Sequence, residues 1–226
     1  MSKEVIKKAV GRAAAEFIKD GMHVGLGTGS TTFYFIERMI ERVREGLKIR
    51  AAASSLRSLK QVQEGGIPLL DINEISSLDI TVDGADEIDP QKRMIKGGGG
   101  AMVREKIIAS MSKELMIIVD ESKLVSKLGK SKLPVEVIPF AIQATLHKMQ
   151  KLGYQGSFRL NQNKSLFVTD NGNYIIDIHF RHLCEQPELD HEALIHLPGI
   201  VDTGFFFNLA GKVIVGFADG QIAVRP

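Results

Sequence analysis

An almost uninterrupted apolar run at residues 115–120 ends on the carboxylate of Asp120. A strand of this kind has no polar face to turn toward water, so it fits the middle of a parallel sheet that helices cover on both sides. Shorter apolar segments precede it at residues 22–26, 47–53 and 78–83. The pattern predicts an α/β architecture for this part of the chain.

Segments with helical spacing of apolar residues alternate with these strands. They lie at residues 3–18, 30–45, 55–64 and 103–113. Strand, turn and helix in regular succession are typical of a doubly wound, Rossmann-like domain. The sequence predicts such a domain at residues 1–130, and residues 208–226, which offer two short strands, are expected to return to it.

The pattern changes at residues 127–134, where the chain becomes basic and contains glycine and proline. Beyond this boundary the spacing of apolar residues and turn signals predicts strands at 135–138, 156–160, 165–169, 174–180 and 199–207, and helices at 141–152 and 192–196. The order β-α-β-β-α-β is typical of a ferredoxin-like α+β domain. We predict this second, smaller domain at residues 131–207.

Charge and cysteine content exclude several classes of protein. The chain has 29 basic and 27 acidic residues, and this balance gives no reason to expect nucleic acid or a membrane surface as a partner. Cys184 is the single cysteine, so an intrachain disulfide and a multi-thiolate metal site are excluded, and a reducing compartment is indicated. The charged N-terminal residues and the lack of a long apolar segment lead us to expect a cytoplasmic protein.

Histidine spacing gives no support for a metal site. His179 and His182 lie close together in the sequence, and His191 and His196 are five residues apart rather than the four of a zinc-binding helix. We therefore expect no metal and no other cofactor.

The glycine-rich segment Gly25-Leu26-Gly27-Thr28-Gly29-Ser30-Thr31 lies between a predicted strand and a predicted helix. Backbone N–H groups at a helix N-terminus favour a phosphate. A turn in which Ser30 merely caps the helix is the structural alternative. A dinucleotide fingerprint fits less well, because Ser30 stands at its third glycine and the next strand lacks the ribose-binding acid. A P-loop ending in Gly129-Lys130-Ser131 lacks its first glycine, since Leu124 stands there.

Two aspartates follow the predicted strand at residues 78–83. Asp83 ends it and Asp86 lies just beyond, with Gly84 and Ala85 between them. Open α/β sheets bind ligands at the carboxyl ends of their strands, so we expect both carboxylates in a binding site. A solvated acidic turn that continues to Asp89 is the alternative.

A lysine and four glycines, Lys96-Gly97-Gly98-Gly99-Gly100, precede the helix that contains Glu105. Glycines let bare backbone N–H groups approach substrate oxygens, and Lys96 would add a point charge at the mouth of the site. A flexible loop is the alternative. Lys123 follows the strand at 115–120 and would place a cation at the same sheet edge, although a surface lysine is the ordinary case. Together these groups indicate a small anionic substrate and acid-base chemistry.

Several motifs, taken in order along the chain, resemble ribose-5-phosphate isomerase, type A. They are Gly25 to Thr31, Val82 to Ile88, Lys96 to Gly99, Arg104-Glu105-Lys106, Asp120 to Lys123, Leu133 to Pro139, Thr169 to Asn173 and Pro198 to Val201. The resemblance implies interconversion of D-ribose 5-phosphate and D-ribulose 5-phosphate in the non-oxidative pentose phosphate pathway without a metal. It also implies the two domains predicted above and, usually, a homodimer.

The resemblance further implies which residues contact the substrate. They are Thr28, Gly29, Ser30, Thr31, Asp83, Gly84, Ala85, Asp86, Lys96, Gly97, Gly98, Gly99 and Lys123. Glu105 is implied as the base that transfers the carbon-bound proton. The segment Ser54-Ser55-Leu56-Arg57-Ser58 and the residue Val103 depart from the usual family pattern, which puts local packing in doubt.

Isomerisation of an aldose to a ketose passes through an enediolate, which suggests a division of roles. We expect Glu105 to move the proton between C2 and C1, Asp83 to carry protons between oxygens, and Asp86 to orient hydroxyls. Lys96 and the amides of residues 97–99 would stabilise the enediolate charge.

Two other functions compete with this interpretation. A non-catalytic sugar-phosphate sensor of the repressor type would need a DNA-reading segment, and none is evident in the sequence. An amino-sugar phosphate deaminase-isomerase has a similar architecture, but the run beginning at Lys96 and the ferredoxin-like insertion argue against it.

Overall fold

The computed structural model describes residues 1–226. The helices are α1 (Lys3–Ala15), α2 (Ser30–Arg44), α3 (Leu56–Gly65), α4 (Met102–Ser110), α5 (Ile142–Lys151) and α6 (Pro187–Ile195). The strands are β1 (His23–Leu26), β2 (Arg50–Ala53), β3 (Ile80–Asp83), β4 (Glu87–Ile88), β5 (Met94–Ile95), β6 (Leu115–Asp120), β7 (Leu133–Val137), β8 (Gly156–Phe158), β9 (Tyr174–Ile178), β10 (Ile200–Thr203), β11 (Phe205–Phe206), β12 (Ala210–Gly216) and β13 (Ile222–Arg225). No helix is both long and apolar enough to cross a membrane.

The chain divides into two compact units. Unit 1 contains Met1–Ala85, Arg104–Leu124 and Leu209–Pro226, and unit 2 contains Asp86–Val103 and Val125–Asn208. The sequence assigned residues 86–103 to the first domain, whereas in the structure they group with unit 2. The reason is that β5 pairs antiparallel with β11, a strand of unit 2. These two-residue strands, with β4, form a small sheet of order β11-β5-β4 that local periodicity could not predict.

Unit 1 is built on a six-stranded sheet of order β13-β12-β6-β3-β1-β2. The neighbours from β12 to β2 pair in parallel, and only the edge strand β13 runs antiparallel. The order reverses between β1 and β3, which makes their carboxyl ends the topological switch point where open α/β sheets bind ligands. The chain therefore has a mixed α/β fold with a parallel sheet, as the sequence predicts.

The apolar run at residues 115–120 forms β6, and every residue of that strand is buried. On one face of the sheet, Val24, Val82 and Ile118 belong to a core that includes side chains from α1, α2 and α3. On the other face, Ile108 of α4 packs with Ala52, Leu70 and Leu78. This two-sided burial confirms the predicted position of β6 inside the sheet.

A close approach at Gly25 brings β1, β3 and α4 together in unit 1. A Cβ atom at this position would lie 1.8 Å from Thr81 Oγ1 and 2.7 Å from Ile108 Cγ2. No larger residue fits, because neither the neighbouring strand nor the helix can withdraw without disturbing the core.

Unit 2 contains a four-stranded antiparallel sheet of order β10-β7-β9-β8. Its strands and helices follow one another as β7, α5, β8, β9, α6 and β10. Alternate residues of β7, namely Leu133, Val135 and Val137, point into an apolar core that also contains Met149 and Leu194. The opposite face carries Pro134 and Glu136.

The strand predicted at residues 165–169 is wrong. Only two isolated bridges form there, between Leu160 and Leu166 and between Val168 and Tyr174. Both edges of β9 are already paired, with β7 on one side and β8 on the other, so no edge remains for an additional full strand. The predicted strand at 199–207 is divided into β10 and β11 at Gly204.

We expect Gly25→Ala to destabilise the protein by about 3 kcal/mol or more, because the added methyl group overpacks the contact of β1 with Thr81 and Ile108. Gly84→Ala is the matched control, since the nearest atoms there lie 3.8 Å and 3.9 Å from the added Cβ. Urea unfolding of both variants measures the difference. Equal stability of the two would contradict the close approach at Gly25.

Candidate active site

The candidate residues occur in both units. Unit 1 contains Thr28, Gly29, Ser30, Thr31, Asp83, Gly84, Ala85, Glu105 and Lys123, and unit 2 contains Asp86, Lys96, Gly97, Gly98 and Gly99.

The N-terminus of α2 has no side-chain cap. Its N-cap residue is Gly29, at φ 136°, and Ser30 is the first residue of the helix. The Ser30 hydroxyl instead accepts a hydrogen bond from Lys7 Nζ at 2.8 Å. The alternative in which Ser30 only caps the helix is therefore wrong. Uncapped N–H groups, the helix dipole and a nearby ammonium group make this end of α2 suited to a phosphate.

Asp83 holds the loop that leads into α2. Its side chain is 1 % exposed, and Oδ1 accepts hydrogen bonds from the Thr28 N–H at 3.0 Å and the Gly84 N–H at 2.7 Å. A Cβ at Gly27 would lie 2.0 Å from the same oxygen. Only glycine therefore lets the β1–α2 loop lie against the end of β3.

Four hydroxyl groups form a cluster behind the loop in unit 1. The Thr28 hydroxyl lies 2.8 Å from Ser54 Oγ and donates to Ser55 Oγ at 2.8 Å. The Ser58 hydroxyl donates to the Gly27 carbonyl at 2.7 Å. The Ser54–Ser58 departure from the family pattern therefore provides hydroxyls that fix Thr28 and Gly27.

Glu105 and Lys123 lie on different elements of unit 1. Glu105 is in the first turn of α4 and is buried. Lys123 ends a short 3-10 turn, Glu121–Lys123, directly after β6, and it is partly exposed. This location at the carboxyl end of a central strand agrees with the sequence-based expectation for Lys123.

In unit 2 the glycine run is an ordered turn. Gly97 and Gly100 have φ values of 100° and 83°, and the Gly100 N–H donates to the Gly97 carbonyl at 3.0 Å. The Gly98 N–H donates to Asp86 Oδ2 at 2.7 Å. The run thus has internal and tertiary hydrogen bonds, and the expectation that the Gly98 amide is open to substrate needs correction, because a carboxylate of the chain already occupies it.

Lys96 is buried, with 2 % of its surface exposed, and so does not lie at an exposed mouth as the sequence suggested. Its backbone N–H donates to the Gly204 carbonyl at 2.8 Å, and its Nζ lies 5.3 Å from the ring centroid of Phe206. A cation over an aromatic face is held away from bulk water, where its charge acts strongly on nearby groups.

Arg159 and Asp177 form a buried ion pair beside the glycine run in unit 2. Arg159 Nη1 donates to the carbonyl oxygens of Gly97 and Gly98 at 2.9 Å and 3.1 Å. Burial alone would raise the pKa of the Asp177 carboxyl, but hydrogen bonds from Arg159 and Lys132 outweigh it and hold that pKa below its usual value.

The acidic run at residues 83–89 is not a solvated turn. Asp83, Glu87 and Asp89 are all buried. Glu87 accepts hydrogen bonds from the N–H groups of Gly129 and Ser131, and Asp89 accepts from Arg93 Nε at 2.6 Å. The N–H groups at 129 and 131, which a P-loop would offer to phosphate, are therefore occupied by the chain itself.

Comparison with known proteins gives one consistent result. The sequence model of ribose 5-phosphate isomerase A (phosphoriboisomerase A) matches residues 50–220. The ribose-5-phosphate isomerase A of Protochlamydia amoebophila is 51% identical over 218 residues, which cover 96% of this chain and 94% of that protein. The chain belongs to the ribose 5-phosphate isomerase A family.

Solved structures of ribose 5-phosphate isomerases have the same fold. The enzyme from Methanocaldococcus jannaschii is 37% identical, with a TM-score of 0.92 and coverage of 99% of each chain. A D-ribose-5-phosphate isomerase in complex with phospho-erythronic acid is also 37% identical, with a TM-score of 0.94 over 100% of this chain and 99% of that one. These matches confirm the resemblance that the motifs indicated.

Two residues of this ribose 5-phosphate isomerase A family member were not singled out by sequence reasoning. Lys7 lies in α1, 23 positions from the Ser30 hydroxyl that it contacts, and Arg159 lies more than 60 positions from the glycine carbonyls. No local spacing links such partners, and the sequence around each residue carried no signal of the contact. No group of three or more His, Cys, Asp or Glu side chains is arranged to hold a metal ion.

Cys184 should resist alkylation in the folded protein. Burial, assisted by Asp190 and Glu87, raises the pKa of its thiol to about 12, so only about 10⁻⁴ of it is thiolate at pH 8. We expect iodoacetamide to modify Cys184 at least ~100-fold more slowly in the native chain than in urea. Equal rates, measured by mass spectrometry, would show that the thiol is accessible and reactive.

Proposed function

We propose that the chain interconverts D-ribose 5-phosphate and D-ribulose 5-phosphate, with Glu105 as the base and with Asp83, Asp86 and Lys96 as its partners. The observation that carries the reaction is family membership over almost the whole chain. The observation that carries the residue roles is the ordered set of motifs, with Asp83 and Asp86 fixed by the hydrogen bonds described above.

Transfer of the carbon-bound proton is assigned to Glu105. A carboxylate on one face of the substrate removes the proton from C2 of the aldose, and the electron pair forms the C1–C2 double bond of the enediolate. The same carboxylic acid then returns a proton to C1, which yields the ketose. Burial of Glu105 in the first turn of α4 supports this role, because acid-base chemistry on a substrate takes place in sites from which bulk water is excluded.

Asp83 is assigned the transfer of protons between the substrate oxygens. Asp86 is assigned the orientation of the substrate hydroxyl groups. Between aldose and ketose the proton on O2 must leave and O1 must gain one. Asp83 Oδ1 accepts the Thr28 and Gly84 amides, which fixes the position of the carboxylate assigned to these protons. In the structure, Asp86 Oδ2 accepts a hydrogen bond from the Gly98 N–H. A substrate hydroxyl would donate to the same carboxylate.

Stabilisation of the negative charge on the enediolate is assigned to Lys96 and to the backbone amides of the glycine run. Preorganised donors of this kind stabilise a transition state without reorganising during the reaction. Phospho-erythronic acid, bound by one relative, carries a carboxylate in place of the reacting carbons. Because its two coplanar oxygens share a negative charge as those of an enediolate do, we expect it to inhibit this chain as well.

Binding of the substrate phosphate is assigned to the N-terminus of α2, with Lys7 and Lys123 as the cations that pair with it. Uncapped N–H groups, the Ser30 and Thr31 hydroxyls and the contact of Lys7 with Ser30 support this assignment. Lys7 is added here to the residues that the motifs implied.

The finer classification is proposed with the function. Unit 1 fits a Rossmann-like catalytic domain in the broad, doubly wound sense, and unit 2 fits a ferredoxin-like α+β domain, since its sheet order is β10-β7-β9-β8. We expect a homodimer and a cytoplasmic setting, for which the resemblance and the single reduced cysteine are the support. Sedimentation equilibrium of the purified protein tests the dimer.

Glu105→Gln should lower kcat by about 10²-fold or more, because the amide cannot accept the C2 proton. KM for ribose 5-phosphate should change little, since the amide is nearly isosteric with the carboxylate. In deuterated water with a chelator present, the unchanged protein should exchange the C2 proton of ribose 5-phosphate, and the variant should lose this exchange. Turnover and NMR of the sugar measure both quantities.

The matched control is Glu114→Gln. Glu114 pairs with Lys212 Nζ at 2.6 Å, lies outside the proposed site and should leave turnover unchanged. Near-normal turnover of Glu105→Gln would remove Glu105 from the chemistry. Binding of ribose 5-phosphate without any C2 exchange by the unchanged protein would overturn the enzymatic function in favour of a sensor.

Lys7→Met should raise KM for ribose 5-phosphate by about 10-fold or more and leave kcat within a few-fold, because a charge-assisted contact to the phosphate contributes equally to ground and transition states. Lys8→Met, an exposed neighbour on the same helix, is the control and should change neither constant. Steady-state kinetics at low and high salt measure both. A loss confined to kcat would place Lys7 outside phosphate binding.

A further inference from the structure

The glycine run in unit 2 rests on a buried arginine that the motifs do not include. Arg159 directly follows β8, its N–H donates to the Ile175 carbonyl at 2.8 Å, and its side chain is 8 % exposed. One nitrogen, Nη1, donates to two consecutive carbonyl oxygens, those of Gly97 and Gly98. The guanidinium therefore holds the backbone of the run by hydrogen bonds to two adjacent peptide groups.

The guanidinium is itself fixed from its other side. Arg159 Nε donates to Asp177 Oδ2 at 3.0 Å, and Nη2 donates to Asp177 Oδ1. Lys132 Nζ also donates to Asp177 Oδ2, at 2.5 Å. The Phe167 ring centroid lies 5.7 Å from Arg159 Cζ and completes the enclosure. A paired, planar group held in this way has little freedom to rotate.

The hydrogen bonds from Arg159 to the Gly97 and Gly98 carbonyls determine where the neighbouring backbone N–H groups point. In a trans peptide the C=O of one residue and the N–H of the next point in opposite directions. Because the Gly97 and Gly98 carbonyls face Arg159, the N–H groups of Gly98 and Gly99 face away from it. They thus form two neighbouring donors on the side of the run opposite to the arginine.

The two donors are in different states in this structure. The Gly98 N–H is engaged by Asp86 Oδ2 at 2.7 Å, which shows that this side of the run accepts an anionic oxygen. Gly99 is exposed, and its N–H donates to no acceptor in the chain. Two adjacent amides aimed at one side, one of them already on a carboxylate, have the geometry of an oxyanion-binding pair.

We propose that Arg159, fixed by Asp177, is a positioning residue for the isomerisation: it holds the Gly97 and Gly98 carbonyls so that the Gly98 and Gly99 amides bind the oxygen on which negative charge develops. This inference rests on the proposed function. Arg159 itself touches no substrate and acts only through the backbone of the run.

Charge adds to the geometric effect. A cation on a peptide carbonyl draws electrons toward the oxygen and makes the N–H of the same peptide group a stronger donor. The gain is largest when the acceptor carries full negative charge, as an enediolate oxygen does and a substrate hydroxyl does not. Loss of Arg159 should therefore lower kcat while KM for ribose 5-phosphate changes little.

The test uses Arg159→Ala and Arg159→Lys in the full chain, at a temperature where circular dichroism shows both to be folded. We expect kcat to fall by about 10²-fold in Arg159→Ala, as loss of an oxyanion donor does elsewhere, with KM within about 3-fold of the unchanged protein. Arg159→Lys keeps a positive charge but reaches only one carbonyl, and should lose about 10-fold. Inhibition by phospho-erythronic acid should weaken by the same factor as kcat/KM.

Arg93→Ala is the matched control. Arg93 also pairs with a buried aspartate of unit 2, Asp89, at 2.6 Å, but it contacts no part of the glycine run. Guanidinium ion added at tens of millimolar should restore at least ~10-fold of the activity of Arg159→Ala, because it can occupy the space of the lost group beside Asp177. It should not stimulate Arg93→Ala.

Three results would overturn the inference while leaving the proposed function intact. They are a kcat of Arg159→Ala within 3-fold of the unchanged protein, an effect confined to KM, and an equal loss of kcat in Arg93→Ala. Failure of the unchanged protein to isomerise ribose 5-phosphate would instead overturn the proposed function itself, so the two failures are distinguishable.

Discussion

The carboxylate of Asp83 is the contact on which the candidate site of unit 1 depends. By accepting the amides of Thr28 and Gly84 it ties the loop after β1 to the turn after β3, and Gly27 makes this approach possible because it has no side chain. The position of the α2 N-terminus follows from this contact, and so does the position of the Thr28 hydroxyl within the serine cluster. In the proposed function, the same side chain would both act on the substrate and hold the loop that binds the phosphate.

The fold of unit 1 could be predicted because its signals are local. An apolar run such as that of β6 reports burial on both faces, and the glycines after β1 report a turn into a helix. The two-residue strands β4, β5 and β11 carry no such signal, because they are too short to show a periodicity and because β5 pairs with β11 about 110 positions away in sequence. For this reason the sequence grouped residues 86–103 with the first domain, whereas their contacts in the structure are with unit 2.

The same distinction holds within the site. Asp83, Asp86, Lys96 and Glu105 lie in short motifs where residue type and spacing already indicate acid-base chemistry. Lys7 and Arg159 reach Ser30 and the glycine carbonyls only through folding, and a lone cation near an ordinary helix or strand predicts nothing by itself. The missing first glycine already argued against a P-loop at residues 124–131, but sequence could not tell that Glu87 supplies the anion for the amides at 129 and 131.

The hydrogen bond from the Gly98 amide to Asp86 has a consequence for ligand selection. A tethered carboxylate is present at high effective concentration, so any incoming oxygen must displace it rather than fill an empty position. A neutral hydroxyl is the weaker acceptor and loses this competition, whereas an oxygen with full negative charge can win it. Under the proposed function, the Gly98 amide would therefore stay with Asp86 while the neutral sugar is bound and would become available to the charged enediolate oxygen, so that selection at this amide depends on charge rather than on shape.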